Sequence, residues 1–166
     1  MKPIASLLFT LLISVNALSQ DMTNKRLGQL IATASDSIIG QEGRWQFYVK
    51  EVTLICLTDS THNRMRIISP IADAAQLDGD LKNAALIANF HTALDVKYAI
   101  ADDVLWSAFI HPLRELSDEQ VTDAISQVYA ANVTFGTTFS STDLLFPGAQ
   151  NRPEKEKKES IKKEKF

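Results

Sequence analysis

The chain has a single cysteine, Cys56, among 166 residues. A lone thiol forms no internal disulfide, so the domain depends on packing for its stability. Cys56 lies in the apolar run 52–57 and is expected to act as a small buried hydrophobe. Glycine is scarce, six residues in all, and neither a glycine-rich phosphate loop nor a Gly-x-Ser-x-Gly nucleophile turn occurs. The three histidines, His62, His91 and His111, have no second ligand at metal-site spacing and no cysteine to pair with them. Nucleophilic catalysis needs a Ser or Cys beside an oriented base, and no such group is legible. Asp102-Asp103 suits a tight hairpin turn better than an acid–base pair, since neighbouring turn residues point apart. These absences assign no catalytic residue, no cofactor and no metal, and the chain is not read as an enzyme.

A long hydrophobic span is missing too. The apolar run 4–15 is shorter than the roughly 20 residues that cross a bilayer. It follows Lys2 and ends near the small residues Ala17 and Ser19, the pattern of a secretory signal peptide over 1–19. Cleavage after Ser19 leaves Gln20 first, and cleavage after Ala17 is the alternative. The expected location is periplasmic or secreted, with no integral membrane segment after cleavage. The net charge of −3 conceals a split. Residues 154–166 hold six lysines and four glutamates, preceded by Arg152. Without these and Lys2, the body has nine basic and sixteen acidic residues, a charge of −7. A body so acidic repels phosphate backbones, which excludes nucleic acid as its partner.

What is present is alternation. Residues 22–39 carry Leu27, Leu30, Ile31, Ala34 and Ile38 at helical spacing, with Gly40 and Gly43 bracketing the exit. Three strands follow. Over 44–49, Trp45, Phe47 and Val49 share a face; over 52–58, Val52, Leu54 and Cys56 do. Over 64–69, Met65 and Ile67 oppose Arg64, Arg66 and Ile68, and Pro70 ends the strand. A second helix, capped by Asp78 or Asp80, has Leu81, Ala84, Ala85, Ile87, Ala88 and His91 on its expected buried side. Strands 96–101 and 104–109 join at Asp102-Asp103, and Pro112 ends the pair. Ser117 and Gln120 form a capping box for a third helix, with Val121, Ala124, Ile125, Val128, Ala131 and Phe135 as its stripe and Gly136 beyond it. Residues 137–146 read as a closing extended segment, and Pro147-Gly148 as the domain edge.

The fold class is therefore α+β, a single antiparallel sheet with helices packed on it, in the order α-β-β-β-α-β-β-α. The domain spans 20–147, and 148–166 is a charged tail expected to be disordered and solubilising.

Trp45, the run from Asn63 through Ile71, the run from Ala88 through Asp95, Leu105-Trp106 and His111-Pro112-Leu113 together resemble the YbjN-like family, which shares the fold of type III secretion chaperones. The residues from Ser117 to Phe139 resemble the family's final helix and exit, so the likeness covers about 26–146. The resemblance implies an α+β domain that pairs as a homodimer and binds polypeptide, with no catalytic residue.

Ile55, Leu57, Ile68, Leu105 and Phe109 are candidates for a second apolar sheet face, more than the helices can cover. The expected function is an exported, non-enzymatic, chaperone-like module, dimeric through its sheet or an outer helix, that holds a segment of an unidentified protein. Arg64, Arg66, Trp106 and Phe109 are the candidate contacts, the arginines as forked donors to carboxylates. The alternative is a periplasmic small-molecule or lipid binder that encloses the same apolar surplus.

Overall fold

A computed structural model describes residues 21–141. The expected signal segment, the Pro147-Gly148 edge and the charged tail lie outside the described residues. Of the extended segment expected over 137–146, residues 137–141 are described and form no strand.

Thr23 starts α1 (Asn24–Ala34), its hydroxyl accepting the Arg26 N–H at 3.1 Å. The helix ends at Ala34 and does not run on to residue 39. Ser35 turns to extended backbone and donates its hydroxyl to the Ile31 carbonyl at 2.7 Å, which closes the last turn. The β-branched pair Ile38-Ile39 then enters strand β1 (Ser37–Gln41), which suits such side chains better than a helix does. Ile38 still packs against the core, where a continued helical stripe would also have placed an apolar side chain. Gly40 and Gly43, expected to mark a helix exit, belong to the hairpin that joins β1 to β2 (Arg44–Val49). Gly40 has φ +120°, and a Cβ there would collide with the Arg44 carbonyl oxygen.

The remaining strands are β3 (Val52–Asp59), β4 (Arg64–Asp73), β5 (Lys97–Ala101) and β6 (Val104–His111). Together they form one six-stranded antiparallel sheet in the order β1-β2-β3-β4-β6-β5. The α+β class and the expected element order hold, with β1 added at the front. Asp102 and Asp103 take φ of 51° and 60°, as a two-residue hairpin turn requires. β4 continues through Pro70, where the sequence predicts a stop. Proline is tolerated because the β3 ladder has ended at Ile55–Ile68 and β4 shifts register against β6 between Pro70 and Ala72.

Two further helices complete the domain. Ser117 and Gln120 form the expected capping box of α3 (Asp118–Thr134), which lies with α1 on the sheet face that carries Phe47, Leu54, Cys56, Met65 and Ile67. Small residues let α3 approach closely. Ser107 donates to the Val128 carbonyl at 3.1 Å, and the Tyr98 hydroxyl donates to the Ala131 carbonyl at 2.9 Å. The Asn132 amide donates to Ser69 Oγ and the Pro70 carbonyl, both at 2.8 Å. Arg26 of α1 forks onto Asp118 at the start of α3, holding that carboxyl below its usual range.

Asp78 caps α2 (Gly79–His91), accepting the Leu81 N–H at 2.7 Å. This helix stands at the open edge of β5. Its Asn89 side chain accepts the Tyr98 N–H at 2.7 Å and donates to the Tyr98 carbonyl at 3.1 Å, satisfying edge groups that a further strand would otherwise pair. The buried side of α2 is made of Ala85 and Ala88, while Ile87 and His91, expected to be buried, are exposed. The helix is apolar nearly all round, so periodicity could not choose its inner side. Among the described residues no helix is long and apolar enough to cross a membrane.

Two glycines provide a paired test of this backbone. Gly40→Ala should lower stability in urea unfolding by about 1–3 kcal/mol through forced strain. Gly79→Ala, with nothing near its added methyl, should be neutral or stabilising by up to about 1 kcal/mol.

Candidate functional site

Period two sends alternate residues of every strand to opposite faces. Because α1 and α3 lie on one face, the register identifies what occupies the other. One outer row reads Ile39–Gln46–Ile55–Ile68–Ala108–Lys97 across the six strands. The adjacent row reads Gln41–Arg44–Leu57–Arg66–Ile110. Pro70, Trp106 and Ala99 follow on the opposite side of the first row. None of Ile55, Leu57, Ile68, Trp106 or Ile110 belongs to the core cluster. Ile39 and Ile110 are 60% and 63% exposed, too much for roofed positions, and the others are half-buried by one another.

The expected contacts divide between the faces. Arg64, Arg66 and Trp106 are on the outer face, Trp106 with its indole N–H donating to the Ala101 carbonyl at 3.1 Å. Phe109 is on the inner face, 6% exposed, paired with Ile67 and stacked on the His111 ring at 5.8 Å. It is a core residue whose small remaining exposure is at a cleft it lines with Asp95 and His111, and it is not part of the outer face. Leu105 is likewise inward, so neither it nor Phe109 contributes to the second apolar face. β6 misleads a reading by pattern because Trp106, Ala108 and Ile110 are as apolar as Leu105 and Phe109, and the residue between, Ser107, faces inward. Arg44 and Ile110 are outer-face residues that sequence reasoning passed over. Counting by twos from Trp106 reaches Ile110, and the hairpin register carries Arg66 to Arg44.

The face is apolar with cationic side chains set into it. Among the described residues, Arg44, Arg64 and Arg66 make no side-chain hydrogen bond or ion pair. Carboxylates of this face lie towards its ends. Asp59, across from Arg64, binds His62 through Nδ1 at 2.6 Å, and Asp73 accepts the Ala75 N–H at 2.8 Å. A second apolar patch is on α2, where Leu86 and Phe90 are 68% and 87% exposed beside Ile87.

Other chemistry is thin. His62, His91 and His111 are in separate places, and among the described residues no three metal-ligating side chains come together. A cleft of about 420 Å³ is lined by Asp95, Lys97, His111 and Asp123, with no hydroxyl or thiol nucleophile among its lining residues. The buried Gln127 amide already bridges Asp95 and Asp123. Cys56 is wholly buried, and burial pushes its thiol from 9.0 up to about 12, so it is no nucleophile at neutral pH.

No protein-family model matches the sequence, and no curated protein matches it. Solved structures do. A chain of the HopA1–SchA chaperone–effector complex superposes with a TM-score of 0.52 at 11% identity, covering 68% of this chain and 94% of that one. A chain from the crystal structure of the Yersinia pestis type III secretion chaperone SycH, in complex with a stable fragment of YscM2, gives 0.51 at 15% identity, covering 68% and 99%. The chain has the fold of the type III secretion chaperones. At these identities the likeness concerns backbone architecture, and the surfaces described above are this chain's own.

Two measurements test the division between faces and the state of the thiol. Phe109→Ala should cost about 3–5 kcal/mol in urea unfolding, whereas Arg66→Ala should stay within about 0.5 kcal/mol. Burial also raises the Tyr98 hydroxyl from 10.0 to about 12. From about pH 9 to 12 the unfolded chain therefore releases protons that the folded chain keeps, and stability falls as pH rises. The urea midpoint should be flat from about pH 7 to 8 and drop between about pH 9 and 11, less steeply in Cys56→Val.

Proposed function

We propose that this protein is an exported, non-enzymatic binding module with a chaperone-like role, holding a segment of another polypeptide on the outer face of its sheet. The observation that carries the reading is the uncovered apolar face itself. Ile55, Leu57, Ile68, Trp106 and Ile110 form a contiguous patch across three strands, and no element of the chain among the described residues roofs it. Water-exposed apolar surface of this extent favours a partner. The patch is broad and open, which suits a polypeptide better than an enclosed small molecule or lipid. The matched structures, named as a chaperone–effector complex and as a chaperone with a bound fragment, support a protein-binding role for this fold. The runs around Trp45, Asn63–Ile71 and Ala88–Asp95 support kinship with the YbjN-like family, and residues 1–19 support export to the periplasm or beyond.

The same reading includes a homodimer, formed through α2. An isologous interface sets the same patch of both copies face to face. On the outer face that would gather the arginines of both copies, Arg44, Arg64 and Arg66, into one interface, where like charges repel. Leu86, Ile87 and Phe90 on α2, with Ile100 half-exposed on the neighbouring β5, carry no charge and can pair with themselves. Self-association and partner binding then use different surfaces.

Light scattering should give twice the chain mass, and Leu86→Glu with Phe90→Glu should give a folded monomer; a monomeric wild type would refute the α2 dimer. For the binding role, a photo-crosslinking amino acid at position 106 should form a covalent polypeptide adduct in the native compartment, while one at position 126, on the solvent side of α3, should not. No adduct at 106 would end the proposal.

A further inference from the structure

The outer face has a charge pattern that runs against the rest of the molecule. The body of the chain carries −7, yet three of its five arginines, Arg44, Arg64 and Arg66, are on this one face. Arg44 and Arg66 flank Leu57 in a single row, two strands apart and so about 10 Å from each other. The neighbouring row, about 7 Å away along the strands, is Ile55, Ile68 and Ala108. Neither guanidinium has a partner among the described residues. The other cations of the body are engaged or elsewhere. Arg26 forks onto Asp118 on the far side of the sheet, and Lys97 donates to the Leu94 carbonyl.

Resting on the reading of this face as a polypeptide-binding surface, we infer that the segment it takes is both apolar and acidic. Its hydrophobic side chains cover Ile55, Leu57, Ile68 and Trp106, and its carboxylates meet Arg44 and Arg66. Arginine suits the task because its planar fork matches a carboxylate and its aliphatic stem lies on apolar neighbours such as Leu57. Covering the apolar rows also removes water from around the pairs, which strengthens them beyond an ordinary surface ion pair. Basic segments are disfavoured by these arginines, and the carboxylates of the face, Asp59 and Asp73, lie towards its ends and are already engaged. Asp59 does not offset this, since His62 already occupies its carboxylate. The apolar rows give affinity, and the arginines select by charge and fix how the segment lies.

Three fluorescein-labelled twelve-residue peptides, with leucine alternating with Glu, with Gln or with Lys, test this on the full chain by anisotropy. The Glu peptide should bind roughly tenfold more tightly than the Gln peptide at low salt, the equivalent of two well-made ion pairs, and the Lys peptide most weakly. The gap should close at high salt. Arg44→Gln with Arg66→Gln should level the three, and Arg44→Glu with Arg66→Glu should invert the order; unchanged thermal melting certifies that both variants fold. Equal binding of all three peptides, or an order indifferent to these variants, overturns the acidic selectivity while leaving the polypeptide surface standing. No binding of any peptide overturns both, and retention on phosphatidylglycerol vesicles in that case assigns the face to an anionic lipid surface.

Discussion

The seam between α3 and the sheet is the contact on which the rest of the molecule depends. Ser69 and Ser107, wholly buried, replace bulkier core residues at the point where Val128 and Ala131 approach. The Ser107 and Tyr98 hydroxyls donate to helix carbonyls, the Asn132 amide reaches from the helix to Ser69 Oγ and the Pro70 carbonyl, and no buried side-chain nitrogen or oxygen is left unpaired among the described residues. This seam decides which face is roofed. Once α3 is seated there, period two forces Trp106, Ile110, Ile55, Ile68, Arg44 and Arg66 to the opposite side, with nothing from the described chain above them.

A sheet that is apolar on both faces and roofed on one carries an energetic conflict as a monomer. The arginines in the open face are a partial answer. They raise solubility and repel a second copy, which protects the face from pairing with itself. The edge beyond β5 is handled differently, by an asparagine side chain that takes the place of a strand. Helix α2, which brings that asparagine, leaves Leu86 and Phe90 facing solvent without any charge between them. The domain thus presents two apolar surfaces of different character, one set with arginines and one uncharged.

Much of the architecture was legible from local chemistry. The capping box at Ser117, the hairpin at Asp102-Asp103 and the alternation in β2, β3 and β4 depend on residues near one another in the chain. Pattern reading failed where two structures satisfy the same spacing. Ile38 lies on the core side both of a longer helix and of β1, so only the Ser35 cap and the Gly40 backbone distinguish them. In α2 and β6, apolar residues occur on every side, and the periodic signal that would separate inside from outside is absent. The pattern alone therefore groups Phe109 with Trp106, although their side chains lie on opposite faces of one strand.

The amino-acid order alone determined that a single antiparallel sheet with helices upon it would form without an internal disulfide, and that it would have apolar surface to spare. Such properties follow from composition and short-range periodicity. Which surface was spare, and that Arg44 joins Arg66 across Leu57, came only from the tertiary structure. These residues are brought together by strand register and by the placement of α3, and both are set by contacts between segments distant in the chain.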